Sequence, residues 1–480
     1  MAKKSIKVNY LYNLIYQVFT LVTPLITAPY LARVLGADGI GLYSYTESVA
    51  SYFLLFAALG ISTYGQREIA YTQDDRTERS KVFWETKILN IVAGAVVLAV
   101  YYPFALQQKN TALYFVFSLN IIASMIDVSW LFQGLEEFGK ITLRNMTAKI
   151  INIAFVFLFV KTKSDVLLYA LGGLGIYLLG NVWMWFGISK YIDKPDWKAM
   201  QPFKRLPGVL SLFLPTIAMQ IYTVLDKTMI GVITQSNVEN GYYEQAIRLS
   251  KMVLTVVTAL GTVMIPRIGY HFERKETEQV RQYMYRGYQF VWFLGIPLCF
   301  GVSGVASSMV PWFYGEGYEK VVPLLQILSW LILMIGISNV TGIQYMVPTK
   351  RQNLFTLTVI IGAAVNFVLN AVLIPRFASI GAAVASVVAE MTIAVVQIVL
   401  MRKELSPRKI VQPAWRYVIS GGVMLAAVVL LNRCMEPSIL ETLILVCSGA
   451  AVYFTMLLVL RDPFFIESVK SVFSKVIKRR

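Results

Sequence analysis

The sequence predicts an all-α integral membrane protein of about 14 transmembrane helices, arranged as two pseudo-symmetric six-helix bundles plus two C-terminal helices. Three observations predict it. The chain is too apolar for water, since 57% of its 480 residues are hydrophobic and 15% charged, with a mean hydropathy of +0.61, against about 25% charged residues in soluble proteins. Its apolar residues gather in stretches of roughly 20, the length that crosses a bilayer. A sequence pattern also recurs at an offset of 200 residues.

The first stretch, near 9–32, follows the basic start MAKKSIK, carries Asn13, Gln17 and Thr20, and lacks a small-residue cleavage site. It reads as a retained span, not a signal peptide. The turn-rich string LGADG at 35–39 parts it from a second stretch near 41–63, which ends at the charged run 64–83. Stretches near 84–104, 111–133, 144–160 and 166–189 follow, parted by Gln107-Gln108-Lys109, by Glu136-Glu137 and by Lys161 and Lys163. After the polar linker 190–208 come stretches near 209–233 and 242–265, then the charged run 267–286. The remaining stretches lie near 287–306, 321–346, 354–374, 381–401, 414–431 and 440–460. The last twenty residues place Phe465, Val469, Val472, Phe473 and Val476 on one helical face, as in a helix lying on the inner leaflet. The expected division is 1–200 and 201–405 for the bundles, with 406–480 holding the extra pair and the basic tail.

Of the 44 basic residues, seven fall in the loops of one face (Arg33, Lys109, Lys161, Lys163, Lys320, Arg376, Arg433) and four in spans (Lys87, Lys227, Arg248, Lys251). All others collect in the tails and the loops of the opposite face. That asymmetry places both termini in the cytoplasm and accounts for the net charge of +17 without any nucleic acid.

The repeat aligns GLYSYTESVA from Gly41 with GYYEQAIRLS from Gly241. It continues with Ala58-Leu59-Gly60 against Ala259-Leu260-Gly261 after a one-residue slip, and Gln66-Arg67 against Pro266-Arg267. Six spans separate the copies, an even number, so the halves share one orientation and an axis along the membrane normal relates them. Side-by-side bundles are a transporter's arrangement.

Ionisable residues inside a membrane cost about 2.5–3.5 kcal/mol each near a helix centre, so they face protein or water. Glu244, Arg248 and Lys251 are spaced four and three apart and share one helical face. Their repeat partners Ser44, Ser48 and Ser51 make a second polar stripe; Asn13, Gln17 and Thr20 make a third, and Gln220, Thr223 and Lys227, beside Asp226, a fourth. Such stripes predict a shared hydrated cavity. A cationic ladder of Arg248, Lys251 and Lys227 suits a phosphate or diphosphate. The opposing reading makes the same charges neutralising pairs: Glu244 with Arg248, Asp226 or Glu244 with Lys227, and Lys87 with Asp127. Five acids lie within the spans (Glu47, Asp127, Asp226, Glu244, Glu390), so charge alone does not decide between them.

Other chemistry is poorly supplied. Cys299, Cys434 and Cys447 are far apart and His271 is the single histidine, so neither a disulfide framework nor a metal site is expected. There is no GxxxxGK[ST] string, so movement has to draw on a proton or sodium gradient or on the substrate's own concentration difference, with no cofactor. Pro24, Pro29, Pro215 and Pro297 lie within spans and permit bending there.

The strings PYLARVLGADGIGLYSY from Pro29, DVSWLFQGLEEF from Asp127, GYYEQAIRLSK from Gly241 and LNAVLIPRFASIGAAVASVVAE from Leu369 carry a resemblance. The chain resembles the Wzx-like polysaccharide and oligosaccharide-lipid flippases of the multidrug/oligosaccharidyl-lipid/polysaccharide exporter superfamily, over residues 9–401. The resemblance implies a V-shaped, alternating-access transporter of the bacterial plasma membrane. Its implied cargo is an undecaprenyl-diphosphate-linked oligosaccharide repeat unit, moved from the inner to the outer leaflet for capsule, O-antigen or exopolysaccharide assembly. It implies polysaccharide polymerase or assembly proteins as partners beside membrane lipids. It also implies that basic cavity residues hold the diphosphate, here Arg248 and Lys251, with Arg33 at the outer mouth. A multidrug antiporter or a lipid II flippase of the same superfamily are the alternatives. A membrane glycan polymerase or ligase fits less well, because the longest outer loop has only about fourteen residues and such enzymes build their site on larger loops. The chain is therefore expected not to be an enzyme.

Overall fold

The computed structural model describes residues 6–259 and 261–477, apart from the side chains of 1–18, 214–216, 218, 219, 221, 262, 263 and 471–477. The side-chain roles expected of Asn13 and Gln17 thus lie outside the described residues. No strand occurs among the described residues, and eleven helices there are long and apolar enough to cross a membrane. The chain divides into two compact units: Met1–Gly231 with Gln235–Gly241, and Val232–Thr234 with Tyr242–Arg480.

The first unit contains α1 (Ile6–Ala58), α2 (Ile61–Tyr71), α3 (Arg76–Leu106), α4 (Thr111–Ile126), α5 (Ser129–Gly134), α6 (Phe138–Phe159), α7 (Val166–Trp183) and nearly all of α8 (Leu206–Thr234). The two stretches expected on either side of LGADG are two helical segments, taken together here as α1, which meet at a kink at Gly36, whose non-helical φ of 70° and ψ of 174° suit a residue without a Cβ. Downstream of the bend the backbones of the repeat strings touch. A Cβ on Gly41 would stand 1.6 Å from the Asn237 carbonyl oxygen, and one on Gly241 would stand 2.0 Å from the Ala37 carbonyl oxygen. The contact is reciprocal at the 200-residue offset, so both glycines are needed for the approach. A core of Phe83, Trp130, Phe132, Tyr64 and Val209 ties α2, α3, α5 and α8 together.

The second unit contains α9 (Asn237–Thr258, its first turn counted with the first unit), α10 (Gly261–Glu273) and α11 (Thr277–Tyr314). It continues with α12 (Val321–Leu328), α13 (Trp330–Asn339) and a π-helical turn Val340–Met346, then α14 (Gln352–Phe377), α15 (Ser379–Leu400) and α16 (Pro407–Val411). It ends with α17 (Ala414–Asn432), α18 (Ile439–Val459) and α19 (Pro463–Ile477). The pair α17–α18 docks on α11. The Trp292 indole donates to the Ile410 carbonyl at 2.9 Å and the Tyr453 hydroxyl to the Phe293 carbonyl at 2.9 Å, while a Cβ on Gly421 would lie 2.6 Å from Ile296 Cγ2. A capping box of Ser438 and Glu441 starts α18, and Ser308 donates to the Glu441 carboxylate at 2.5 Å. The tail expected to be amphipathic is helical as α19, and Phe465 stacks on Phe454 with centroids 5.4 Å apart. Outward-facing Leu179, Leu158 and Val459 are each more than 60% exposed, which water would penalise and acyl chains would not.

Candidate functional site

On α9 the run Tyr243–Ile247 is buried all the way round, with Leu249 and Ser250 after it. Tyr243 hydrogen-bonds Ser386 of α15 at 3.0 Å, and Tyr314 of α11 donates to the Gln245 carbonyl at 3.1 Å, so the helix cannot roll freely. Of the ladder read from the sequence, Glu244 lies in this buried run, while Arg248 and Lys251 are more accessible. Arg248 Nη2 stands 3.0 Å from Glu244 Oε1, one turn away; the Arg248 side chain is 33% exposed and that of Glu244 only 8%. Lys251 follows as an exposed residue, and Thr255 beyond it is exposed too. α9 is not one of the eleven helices apolar enough to span by itself, and the exposed Lys251 ammonium on it calls for water or a polar ligand, since hydrocarbon solvates it poorly.

A second acid–base pair joins α1 and α8. Lys227 Nζ lies 3.7 Å from Glu47 Oε2, a partner that spacing along α8 does not suggest. Next to it Thr228 donates to Ser48 at 3.0 Å, and Asn240 donates to the Lys227 carbonyl at 3.0 Å. Asp226 is half-buried on α8, Arg33 is exposed on α1 ahead of the Gly36 bend, and Glu390 is buried on α15.

Lys87 and Asp127 meet, but not as a simple ion pair. The apolar stretch 111–133 breaks where α4 ends at Ile126, with Asp127 at φ −58° and ψ 128°, leaving helix-end carbonyls without intrahelical partners. Side chains from other helices satisfy them. Trp185 donates to the Ile126 carbonyl at 2.8 Å and Lys87 to that of Asp127 at 2.8 Å, while Asn181 adds a second donor at 2.9 Å to the Ala123 carbonyl, which already accepts from Asp127 N. A cation at a helix C-terminus is favoured by the helix dipole as well. Lys87 is 1% exposed, also donates to Asn90 at 3.3 Å, and sits over the Trp185 ring. The Asp127 carboxylate accepts from Ser129, the first residue of α5, through its N at 3.0 Å and its hydroxyl at 2.8 Å. It also pairs with Arg144 Nη1 at 3.4 Å, and Arg144 donates to Asn181 at 2.6 Å. Arg144 is a buried cation that the sequence reading leaves in a loop, because it is the first residue of an apolar stretch. Glu85, 2% exposed and accepting from Arg205 at 2.5 Å and from Gln201 N at 2.8 Å, is missed for the same reason. Among the described residues no group of His, Cys, Asp and Glu has the arrangement of a metal site.

The sequence profile of the family described as "Polysaccharide biosynthesis protein" matches residues 6–271, more than half of the chain. The chain belongs to this family. It is 24% identical over 420 residues to a "Putative O-antigen transporter" of Escherichia coli (strain K12), which covers 83% of this chain and 97% of that protein. It is 22% identical over 382 residues to "Probable low-salt glycan biosynthesis flippase Agl15" of Haloferax volcanii, over 74% of this chain and 75% of that one. Among solved structures it is similar to "Lipid II flippase MurJ, inward closed conformation", with a TM-score of 0.75 and 16% identity over 94% of this chain and 99% of that one. It is also similar to an inward-facing multidrug resistance MATE family transporter, with a TM-score of 0.58 and 11% identity over 82% and 94%. At such identities the likeness shows the fold. This member of the polysaccharide biosynthesis family is a multi-pass membrane protein.

Proposed function

We propose that this protein flips a lipid-linked oligosaccharide, with a phosphate or diphosphate link, from the inner to the outer leaflet of the plasma membrane by alternating access. The carrying observation is the pair of cations Arg248 and Lys251 left accessible along α9, with the buried acid Glu244 beside Arg248. A phosphorylated sugar head cannot cross hydrocarbon without its water, so it needs fixed donors along the way. Arg248 and Lys251 supply them, and Lys227 with Glu47 provides a second polar station. The lipid tail has a separate need, met by an apolar cavity of about 280 Å³ in the second unit. It is lined by Val253, two residues beyond Lys251, and by Phe293, Pro297, Met424 and Tyr453 of the surrounding helices. The names of the relatives, an O-antigen transporter and a glycan biosynthesis flippase, agree with that cargo. Asp226 and Glu390 are the acids we assign to coupling with protons or sodium, and Arg33 is assigned to the outer mouth.

Arg248→Ala combined with Lys251→Ala is expected to abolish surface polymer in cells while membrane protein levels stay at wild type. Polymer output equal to wild type would end this reading. The buried acid Glu244 beside the ladder favours one second reading, a cation antiporter. Drug efflux by expressing cells, lost on Glu244→Gln and indifferent to Lys251→Ala, would support that instead.

A further inference from the structure

The segment 184–205 joins α7 to α8 on the face that the charge asymmetry assigns to the cytoplasm. It is fastened to α3 at several points. Arg76 donates to the Ser189 carbonyl at 2.8 Å and Arg79 to the Tyr191 carbonyl at 2.7 Å. Trp84 donates to the Asp193 carbonyl at 2.9 Å, Asp193 N to the Ser80 hydroxyl at 2.8 Å, and Gln201 N to the Glu85 carboxylate at 2.8 Å. Tyr191 and Ile192 turn inward and join the core that holds Phe132.

On this fastened backbone three aromatic side chains stand outward: Phe186 is 76% exposed, Trp197 70% and Phe203 65%. Phe186 follows the end of α7 by three residues and Phe203 precedes the start of α8 by three, so both lie beside helix ends. Rings of this size gain by leaving water, and an indole does so best at a membrane surface, where its body meets acyl chains and its N–H stays hydrated. Interleaved with them are Lys190, Lys194, Lys198 and Lys204, all exposed. The acids of the segment do not cancel them, for Asp193 pairs with Arg76 at 2.9 Å and Asp196 alone remains, accepting from the Lys198 N–H at 3.1 Å. The outward edge is thus aromatic and positively charged, the complement of an anionic lipid surface. A soluble acidic partner would match the charge, but the helix ends on either side put the bilayer within reach of the rings.

We propose that this edge of the α7–α8 connection, formed by Trp197 and Phe203 with Lys194, Lys198 and Lys204, docks on the inner leaflet and gathers anionic phospholipid around it. The contact does not depend on the cargo proposed above.

The test uses the full-length protein in nanodiscs, where both membrane faces meet the solvent, and takes the fluorescence lost on Trp197→Phe as the signal of Trp197. In phosphatidylcholine that signal is expected to be quenched by lipid brominated on the upper part of its chains and shielded from aqueous acrylamide. Acrylamide quenching as strong as that of free tryptophan, with no effect of bromine, overturns the proposal and leaves the edge to solvent or to a soluble partner. In equal mixtures of phosphatidylcholine and phosphatidylglycerol, bromine carried by the phosphatidylglycerol is expected to quench about twofold more than bromine carried by the phosphatidylcholine. Lys194→Gln, Lys198→Gln and Lys204→Gln together should bring the two to parity. Equal quenching by the two lipids before those changes, or a preference that survives them, also overturns the proposal. Thermal unfolding of the variants, expected at the wild-type temperature because these side chains are exposed, separates a lost contact from a lost fold. Phe203→Trp, read as added fluorescence, repeats the measurement from the other end of the edge with Trp197 intact.

Discussion

Lys87 on α3 and the Arg248–Lys251 segment of α9 satisfy one sequence criterion, a cation inside an apolar stretch, yet the structure treats them in opposite ways. Lys87 is 1% exposed and faces a helix-end carbonyl, an amide oxygen and an indole ring. Arg248 keeps a third of its side chain accessible and Lys251 is exposed. The difference lies in what each cation completes. Lys87 completes a broken helix, and a site already closed by carbonyl, amide and ring has no room for a ligand. The α9 ladder has one face anchored through Tyr243 and Gln245 and another left accessible. Burial together with the chemical type of the partner, more than membrane depth, separates a structural charge from one that can meet a substrate.

Loss of each cation tests that separation. Removing Arg248 and Lys251 together deletes two charge-assisted contacts, each worth about 1.5–3 kcal/mol, so transport is expected to fall by about two orders of magnitude or more. Lys251→Ala alone should unfold at the wild-type temperature in detergent, whereas Arg248→Ala also leaves the buried Glu244 without this partner and lowers it. Lys87→Met should do the reverse, destabilising the first unit by about 3–5 kcal/mol because it strips a buried network of one partner. Protein that reaches the membrane should still flip substrate, measured per molecule in liposomes. A Lys87→Met protein that is stable but silent in transport would erase the distinction.

Lys227 with Glu47 stands between these extremes, with side chains 17% and 39% exposed. Glu47→Gln is expected to cost less than about 1 kcal/mol in stability, as a half-exposed pair does, and to slow flipping severalfold without abolishing it. A stability loss as large as that of Lys87→Met would move the pair to the structural class.

The all-helical membrane fold, with eleven helices apolar enough to span among the described residues against the fourteen expected, and the polar spacing on α9 were legible because both depend on local periodicity. Runs of about twenty apolar residues mark helices in lipid, and the four-and-three spacing of Glu244, Arg248 and Lys251 fixes one face without knowledge of any neighbour. The break after Ile126 was not legible from hydropathy, since 111–133 is apolar on average; its one local sign is Asp127, whose carboxylate turns back to Ser129 N at the start of the short α5. Arg144 and Glu85 were missed because each lies at the edge of an apolar stretch, where loop and span look alike. Their burial comes from long-range partners, Asn181 for one and Arg205 for the other. The LGADG string parts two helical stretches, and the structure puts the division at the single non-helical residue Gly36.

The smallest expected effect lies at the water-facing end of the second unit, where Arg351 Nη1 stands 2.7 Å from Glu404 Oε2 with side chains 27% and 40% exposed. Burial alone would push the Glu404 carboxyl up. Hydrogen bonds from Arg351 and Tyr345, with the charges of Arg351 and Arg281, outweigh it and hold the group below the usual carboxylate value. A carboxyl whose folded value is depressed stabilises the fold above its unfolded value, near 4.3, and that contribution disappears as pH falls through the lowered value. Glu404→Gln should therefore leave stability at pH 3 nearly unchanged and lower it at pH 7 by about 0.2–1 kcal/mol, less at high salt. Unfolding followed by tryptophan fluorescence at the two pH values checks it. A pH 7 loss matching that of Lys87→Met would mean that exposure does not grade these charges, and the contrast between the two helices would lose its physical basis.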